Sequence, residues 1–161
     1  MPVSGYAFRL HELRNIFVLF SFLFWMPFTL QADNTGLKDL SGKERSLDEF
    51  SGKWVVVNYW ATWCAPCIEE IPELNDFYRT YKEKDAVVIG INSEGLQPSL
   101  LNIFIEEQSV AYPVWIAEPT AEPWPGPVSG IPTTFLISPQ GKVVAKQVGK
   151  VTREMIERFI R

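Results

Sequence analysis

The sequence predicts an α/β domain: a central mixed sheet with helices packed on both faces. Three observations predict it. Two runs with apolar residues in sequence rather than alternation, WVVVNYW over residues 54–60 and AVVIGI over residues 86–91, read as strands buried on both sides. Between them apolar residues recur at helical spacing. After them, TTFLI and KVVAKQVG flank SPQG, a turn sequence, and a last amphipathic segment ends the chain.

Each element has its own justification. Residues 36–53 are polar and punctuated by Gly42 and Gly52, which predicts a small hairpin and one short helical turn. Residues 54–60 are β-branched and aromatic without alternation, as a central strand requires. A helix starts at or just before Cys64, because Ile68, Ile71, Leu74, Tyr78 and Tyr81 fall on one helical face. Pro72, inside it, removes one backbone donor and predicts a kink. The strand at 86–91 completes a β-α-β unit, so both strands are parallel with a right-handed crossover. Pro98 suits the first turn of a second helix, whose apolar face is Leu100, Leu101, Phe104 and Ile105. Residues 112–117 form a short strand. Residues 118–130, EPTAEPWPGPVSG, are too proline-rich for anything but a loop. Pro139 at the second position of SPQG predicts a type I turn and an antiparallel hairpin. Thr152 caps a last helix carrying Met155, Ile156, Phe159 and Ile160.

The N-terminus differs from this domain. Arg9 and Arg14 precede IFVLFSFLFWMPFTL, residues 16–30, which carries no charge. As a helix it rises roughly 22 Å, short of a hydrocarbon core of roughly 30 Å. Residues 1–32 therefore read as a secretory signal peptide or a membrane anchor, and either would export residues 33–161. An apolar fraction of 47% with 21% charge is that of a globular chain, and a net charge of −4 argues against nucleic acid as a partner.

The chemistry rests on two sulfurs. The chain holds 2 cysteines, Cys64 and Cys67, both within WATWCAPC. Metal binding would need about four ligands, and the only histidine, His11, precedes the apolar run. A purely structural bridge across two residues would constrain the unfolded chain little. Reversible thiol–disulfide exchange fits best. It needs a thiolate, and a helix N-terminus stabilises one through its unpaired N–H groups and dipole. Cys64 stands at that end and is the candidate nucleophile. Cys67, nearly a turn inward, is the shielded resolving thiol. Trp60 reads as core. Trp63, just before the nucleophile, offers a flat contact surface to a substrate, and Pro66 withholds one donor from the first helical turn.

VVVNYWATWCAPC together with GIPTTFLISPQGKVV resembles the thioredoxin fold, and more narrowly the exported TlpA/ResA/DsbE-like thiol–disulfide oxidoreductases. The resemblance runs from about Gly36 to Arg161, making residues 33–161 a thioredoxin-like domain. It implies that Ile131–Pro132 is a cis peptide facing the cysteines, leaving the Ile131 backbone free to pair with a substrate strand. It implies that Glu70, three residues after Cys67, assists proton transfer, where cytoplasmic thioredoxins use a buried aspartate at the position held here by Asn58. Glu69 and Glu73 read as solvated neighbours. The resemblance also implies a function: reduction of protein disulfides in the periplasm or another extracytoplasmic space, such as those of apocytochrome c. Electrons would come from a membrane dithiol donor, with no cofactor and no metal, and membrane contact would be limited to residues 16–30, at the inner membrane if they are retained. Net oxidation of secreted proteins and a redox-silent adaptor or copper carrier are the alternatives. Peroxidase chemistry is disfavoured, because Ala61 stands three residues before Cys64 where a threonine would be needed. The proline-rich 118–130 segment departs from relatives that carry a short helix there.

Overall fold

Strand β2 (Trp54–Trp60) is the centre of the molecule, pairing in parallel with β3 (Ala86–Asn92) and antiparallel with β5 (Thr133–Ile137). The structure, a computed structural model, describes Met1, residues 36–118 and residues 123–160. The apolar 16–30 run and His11 lie outside the described residues. Among the described residues no helix is long and apolar enough to cross a membrane.

Six strands form one sheet in the order β1-β4-β3-β2-β5-β6. Strand β1 spans Leu37–Asp39, β4 Val114–Ala117 and β6 Val143–Val148. Three α-helices accompany them among the described residues: α1 (Ala65–Tyr81), α2 (Pro98–Glu107) and α3 (Arg153–Ile160). The chain follows the predicted order, and the sheet is the mixed, thioredoxin-like one. Helix α1 runs without a break through Pro72. The SPQG turn closes with Gly141 N–H donating to the Ser138 carbonyl at 2.9 Å, and Gly141 takes the positive φ of 75° that a side chain would resist.

Two details differ from the sequence expectation. The helices do not divide between the faces. Buried residues of α1 (Leu74, Phe77), α2 (Leu101) and α3 (Ile156) share one core with Val56 and Trp60 of β2. The opposite core is built from Val55, Val57, Tyr59, Ile89, Trp115 and Phe135, covered by Phe50, by Trp124 and Val128 of the proline-rich loop, and by the adjoining Ile131. The reason is topological. The steps β2→β3 and β3→β4 run in the same direction across the sheet, and two right-handed crossovers then put α1 and α2 on the same side. The second difference is at the start. Residues 37–45 do form the small hairpin, through one antiparallel bridge, Lys38 to Glu44, but β1 also pairs antiparallel with β4 as an edge strand, which the sequence did not predict. The predicted helical turn is present at Leu47–Phe50, closed by a capping box of Ser46 and Glu49.

Strand alternation decides what reaches each face. Val56, Asn58 and Trp60 face the helices, and Val55, Val57 and Tyr59 face away. Trp60 lies flat on Phe104 of α2, with ring centroids 5.4 Å apart. Its close fit needs Gly90. A Cβ there would stand 2.8 Å from Trp60 Nε1 and 2.8 Å from Tyr112 Cε2.

Candidate active site

The C-terminal ends of β2 and β3 and the N-terminal end of β5 meet at one edge of the sheet, where open α/β sheets place their chemistry. Cys64 is the N-cap of α1, with φ −87° and ψ 98°, and no side chain caps the helix there. Its carbonyl accepts the N–H groups of Cys67 at 3.0 Å and Ile68 at 3.1 Å, which starts the helix. Pro66 sits in the first turn, where a missing N–H costs nothing. Cys64 and Cys67 are joined in a disulfide, with Cα atoms 5.2 Å apart. Trp63 projects into solvent at 72% exposure, and Ala65 and Pro66 are exposed beside it. The sequence predicts a shielded Cys67 and an open Cys64. In the disulfide form both are covered, Cys64 at 4% exposure and Cys67 at 2%, because the S–S bond draws the outer sulfur against the helix.

Glu70 follows Cys67 by three residues, on the same face of α1. It is buried at 1% exposure. Its Oε1 accepts from the Asn58 side-chain amide at 2.7 Å, and its Oε2 accepts from the Val151 N–H at 2.8 Å. Asn58 also donates to Thr134 Oγ1 at 3.0 Å, so one polar network links α1, β2, β5 and the β6–α3 connection. Burial pushes the Glu70 carboxyl up to about 7, against the two hydrogen bonds and the Lys150 charge, which pull it down. Burial likewise pushes the Tyr112 phenol far up, with the Glu70 charge adding to the effect.

The peptide bond Ile131–Pro132 is cis. The register Tyr59↔Thr133 sets Pro132 beside the end of β2, where the cysteine segment begins. Ile131 packs on the core that contains both cysteines. Thr133 Oγ1 donates to the Gly130 carbonyl at 2.6 Å and Gly149 N–H donates to the Pro132 carbonyl at 2.8 Å, which hold the loop from both sides. All seven residues singled out in the sequence thus occupy one edge: Cys64, Cys67 and Glu70 on α1, Trp63 and Pro66 around its start, Ile131 and Pro132 opposite. Trp124 serves the core, packing on the second cluster while its carbonyl accepts the Tyr59 hydroxyl at 2.8 Å. The Trp124–Pro125 bond is also cis, which sequence reasoning did not find.

Two features went unseen in the sequence. Glu69 and Glu73 are not simply solvated. Glu69 pairs with Lys150 at 2.5 Å and Glu73 accepts the Arg153 N–H at 2.8 Å, so three carboxylates of α1 hold the segment 150–153. The signal was their i, i+1, i+4 spacing, which sets the three carboxylates side by side along the helix. The other is Glu94, in the loop after β3, which hydrogen-bonds Thr62.

Residues 26–146 match the family model described as AhpC/TSA family. The chain belongs to the AhpC/TSA family. Among curated members, this AhpC/TSA protein is 36% identical to a thiol-disulfide oxidoreductase ResA of Bacillus cereus over 130 residues, 81% of this chain and 75% of that one. Its structure is similar to that of a thiol:disulfide interchange protein of the thioredoxin family from Chlorobium tepidum, at 30% identity and a TM-score of 0.65, covering 76% of this chain and 88% of the other. It is also similar to a secreted thiol-disulfide isomerase from Corynebacterium glutamicum, at 26% identity and a TM-score of 0.65, covering 75% and 77%. With its cysteine pair at the head of α1, this family member is a ResA-like thiol–disulfide oxidoreductase.

Proposed function

We propose that the protein is an exported reductant of protein disulfides, with Cys64 attacking, Cys67 resolving and Glu70 taking the Cys67 proton. One observation carries this reading: a disulfide-bonded cysteine pair heads a helix whose next turn holds a buried carboxyl, which burial pushes up to about 7. In the reduced protein the Cys64 thiolate attacks one sulfur of a substrate disulfide. A mixed disulfide forms and one substrate thiolate leaves. Cys67 then gives its proton to the ionised Glu70 and attacks Cys64 Sγ, which breaks the mixed disulfide and releases the second substrate thiolate. The product is the Cys64–Cys67 disulfide. A carboxyl that burial pushes up to about 7 is a stronger base than an ordinary carboxylate, and so is better suited to take a thiol proton. Two electrons from a dithiol donor in the membrane would restore the thiols.

Trp63, Pro66 and the Ile131–Pro132 backbone would form the rim on which an extended substrate segment lies. Residues 1–32 would be a signal peptide or an anchor at the inner membrane through residues 16–30, placing residues 33–161 as a domain in the periplasm or an equivalent space. The substrate class would be envelope proteins with oxidised cysteine pairs, apocytochrome c among them. The similarity to a ResA protein and to a secreted isomerase supports that assignment.

The test is turnover of a protein disulfide by the full chain with dithiothreitol. Cys64→Ser is expected to abolish it and Cys67→Ser to stop it after one bond; full turnover in Cys64→Ser contradicts the assignment. The direction of flow is read from the reduction potential. A value below roughly −220 mV supports a reductant, and one near about −120 mV would make the protein an oxidase.

A further inference from the structure

The hydrogen bonds around the β2–α1 connection involve a residue that the exchange steps do not use. Glu94 lies in the loop after β3. Its Oε1 accepts the Thr62 N–H at 3.0 Å and the Asn92 side-chain amide at 2.8 Å, and its Oε2 accepts the Thr62 hydroxyl at 3.1 Å. Asn92, fully buried at the end of β3, returns the contact: its Oδ1 accepts the Glu94 N–H at 3.3 Å. Thr62 stands two residues before Cys64, and two trans peptide units span at most about 7.6 Å. The Glu94 charge is thus on the order of 10 Å from the N-cap sulfur.

The geometry points to Glu94 as a positioning residue of the exchange site: it clamps Thr62 to hold the Cys64 loop in place, and its charge opposes ionisation of the Cys64 thiol. The inference rests on Cys64 being the attacking sulfur. The amides and dipole at the head of α1 favour a thiolate. A negative charge hydrogen-bonded to Thr62, two residues before Cys64, works against them. Among the described residues, Glu70 and Tyr112 are buried, and Lys150 on the β6–α3 connection is paired with Glu69. Among the described residues, Glu94 is the charged side chain that hydrogen-bonds the segment leading into Cys64. Its charge therefore acts on the nucleophile more directly than on the resolving thiol, and it sets how fast the reduced protein attacks at neutral pH.

The experiment measures the Cys64 thiol pKa in the full chain carrying Cys67→Ser, from the pH dependence of iodoacetamide alkylation. Glu94→Gln keeps the size and removes the charge. It is expected to lower the pKa by about half a pH unit, the effect of one charge at that range. The alkylation rate at pH 7 then rises about twofold, because the gain in thiolate exceeds the loss in nucleophilicity. Glu94→Asp keeps the charge and shortens the clamp, so its pKa stays with the parent. A Gln variant whose pKa matches the parent overturns the inference. So does an Asp variant that shifts downward as a neutral residue would, and it serves even where the Gln variant does not fold. Failure of the underlying assignment looks different: the parent's Cys64 would then resist alkylation at every pH, before any change at Glu94.

Discussion

Glu70 is held by two donors inside the fold, yet burial outweighs them and its carboxyl titrates near 7 rather than at its ordinary 4.5. The folded protein therefore binds a proton there that the unfolded chain releases between pH 4.5 and 7. Stability contributed at this site is full below 4.5 and falls as pH rises through 7, by about 3 kcal/mol for a shift of this size. Glu70→Gln cannot ionise. Its urea midpoint, followed in the oxidised protein at pH 4.5, 5.5 and 7.5, should lose the decline that the parent shows across that range. An unchanged pH slope would mean that Glu70 is not the group responsible. The same residue shows how far sequence reaches. Its place after Cys67 and its role by resemblance were legible, because helical spacing puts i and i+3 on one face. Its partners were not. Val151 is 81 positions away, and only the return of the chain after β6 brings its N–H to the carboxylate.

At the scale of elements, strands and helices follow from local pattern. Seven residues, six of them β-branched or aromatic, made β2 readable, and apolar spacing made α1 readable through Pro72. The distribution of helices was not readable from periodicity. It depends on the order of strands across the sheet, and a β-α-β unit fixes handedness without saying on which side of β2 the chain continues. The start of α3 makes a similar point. Thr152 was recognisable as its cap, and its Oγ1 accepts the Met155 N–H at 3.3 Å. The second acceptor, Glu73, comes from α1 and serves the Arg153 N–H. Removing it with Glu73→Ala leaves that donor at the helix start without its partner. The expected cost is about 1 kcal/mol, of the size of a lost cap, read as a lower urea midpoint with an unchanged m-value. No loss of stability would show that water replaces the contact fully.

At the scale of the whole molecule, the sheet brings together residues that the chain keeps apart. Cys64 and Pro132 are far apart in sequence, but the antiparallel β2–β5 pairing sets them at one edge. There the chain offers exposed Trp63 and Pro66 on one side and the Ile131 backbone on the other, around a single N-cap sulfur. The second sulfur belongs to the first turn of the helix, above Glu70. Their small difference in exposure in the disulfide form does not separate the proposed roles; the proposal rests on their positions at the head of the helix. The most direct measurement is a mass spectrum of full-length Cys67→Ser and Cys64→Ser, each reduced and then mixed with a cysteine-containing peptide disulfide. The assignment predicts that Cys67→Ser takes up one peptide quickly, while Cys64→Ser does so at least about a hundredfold more slowly. Equal rates, or faster capture by Cys67, would contradict it.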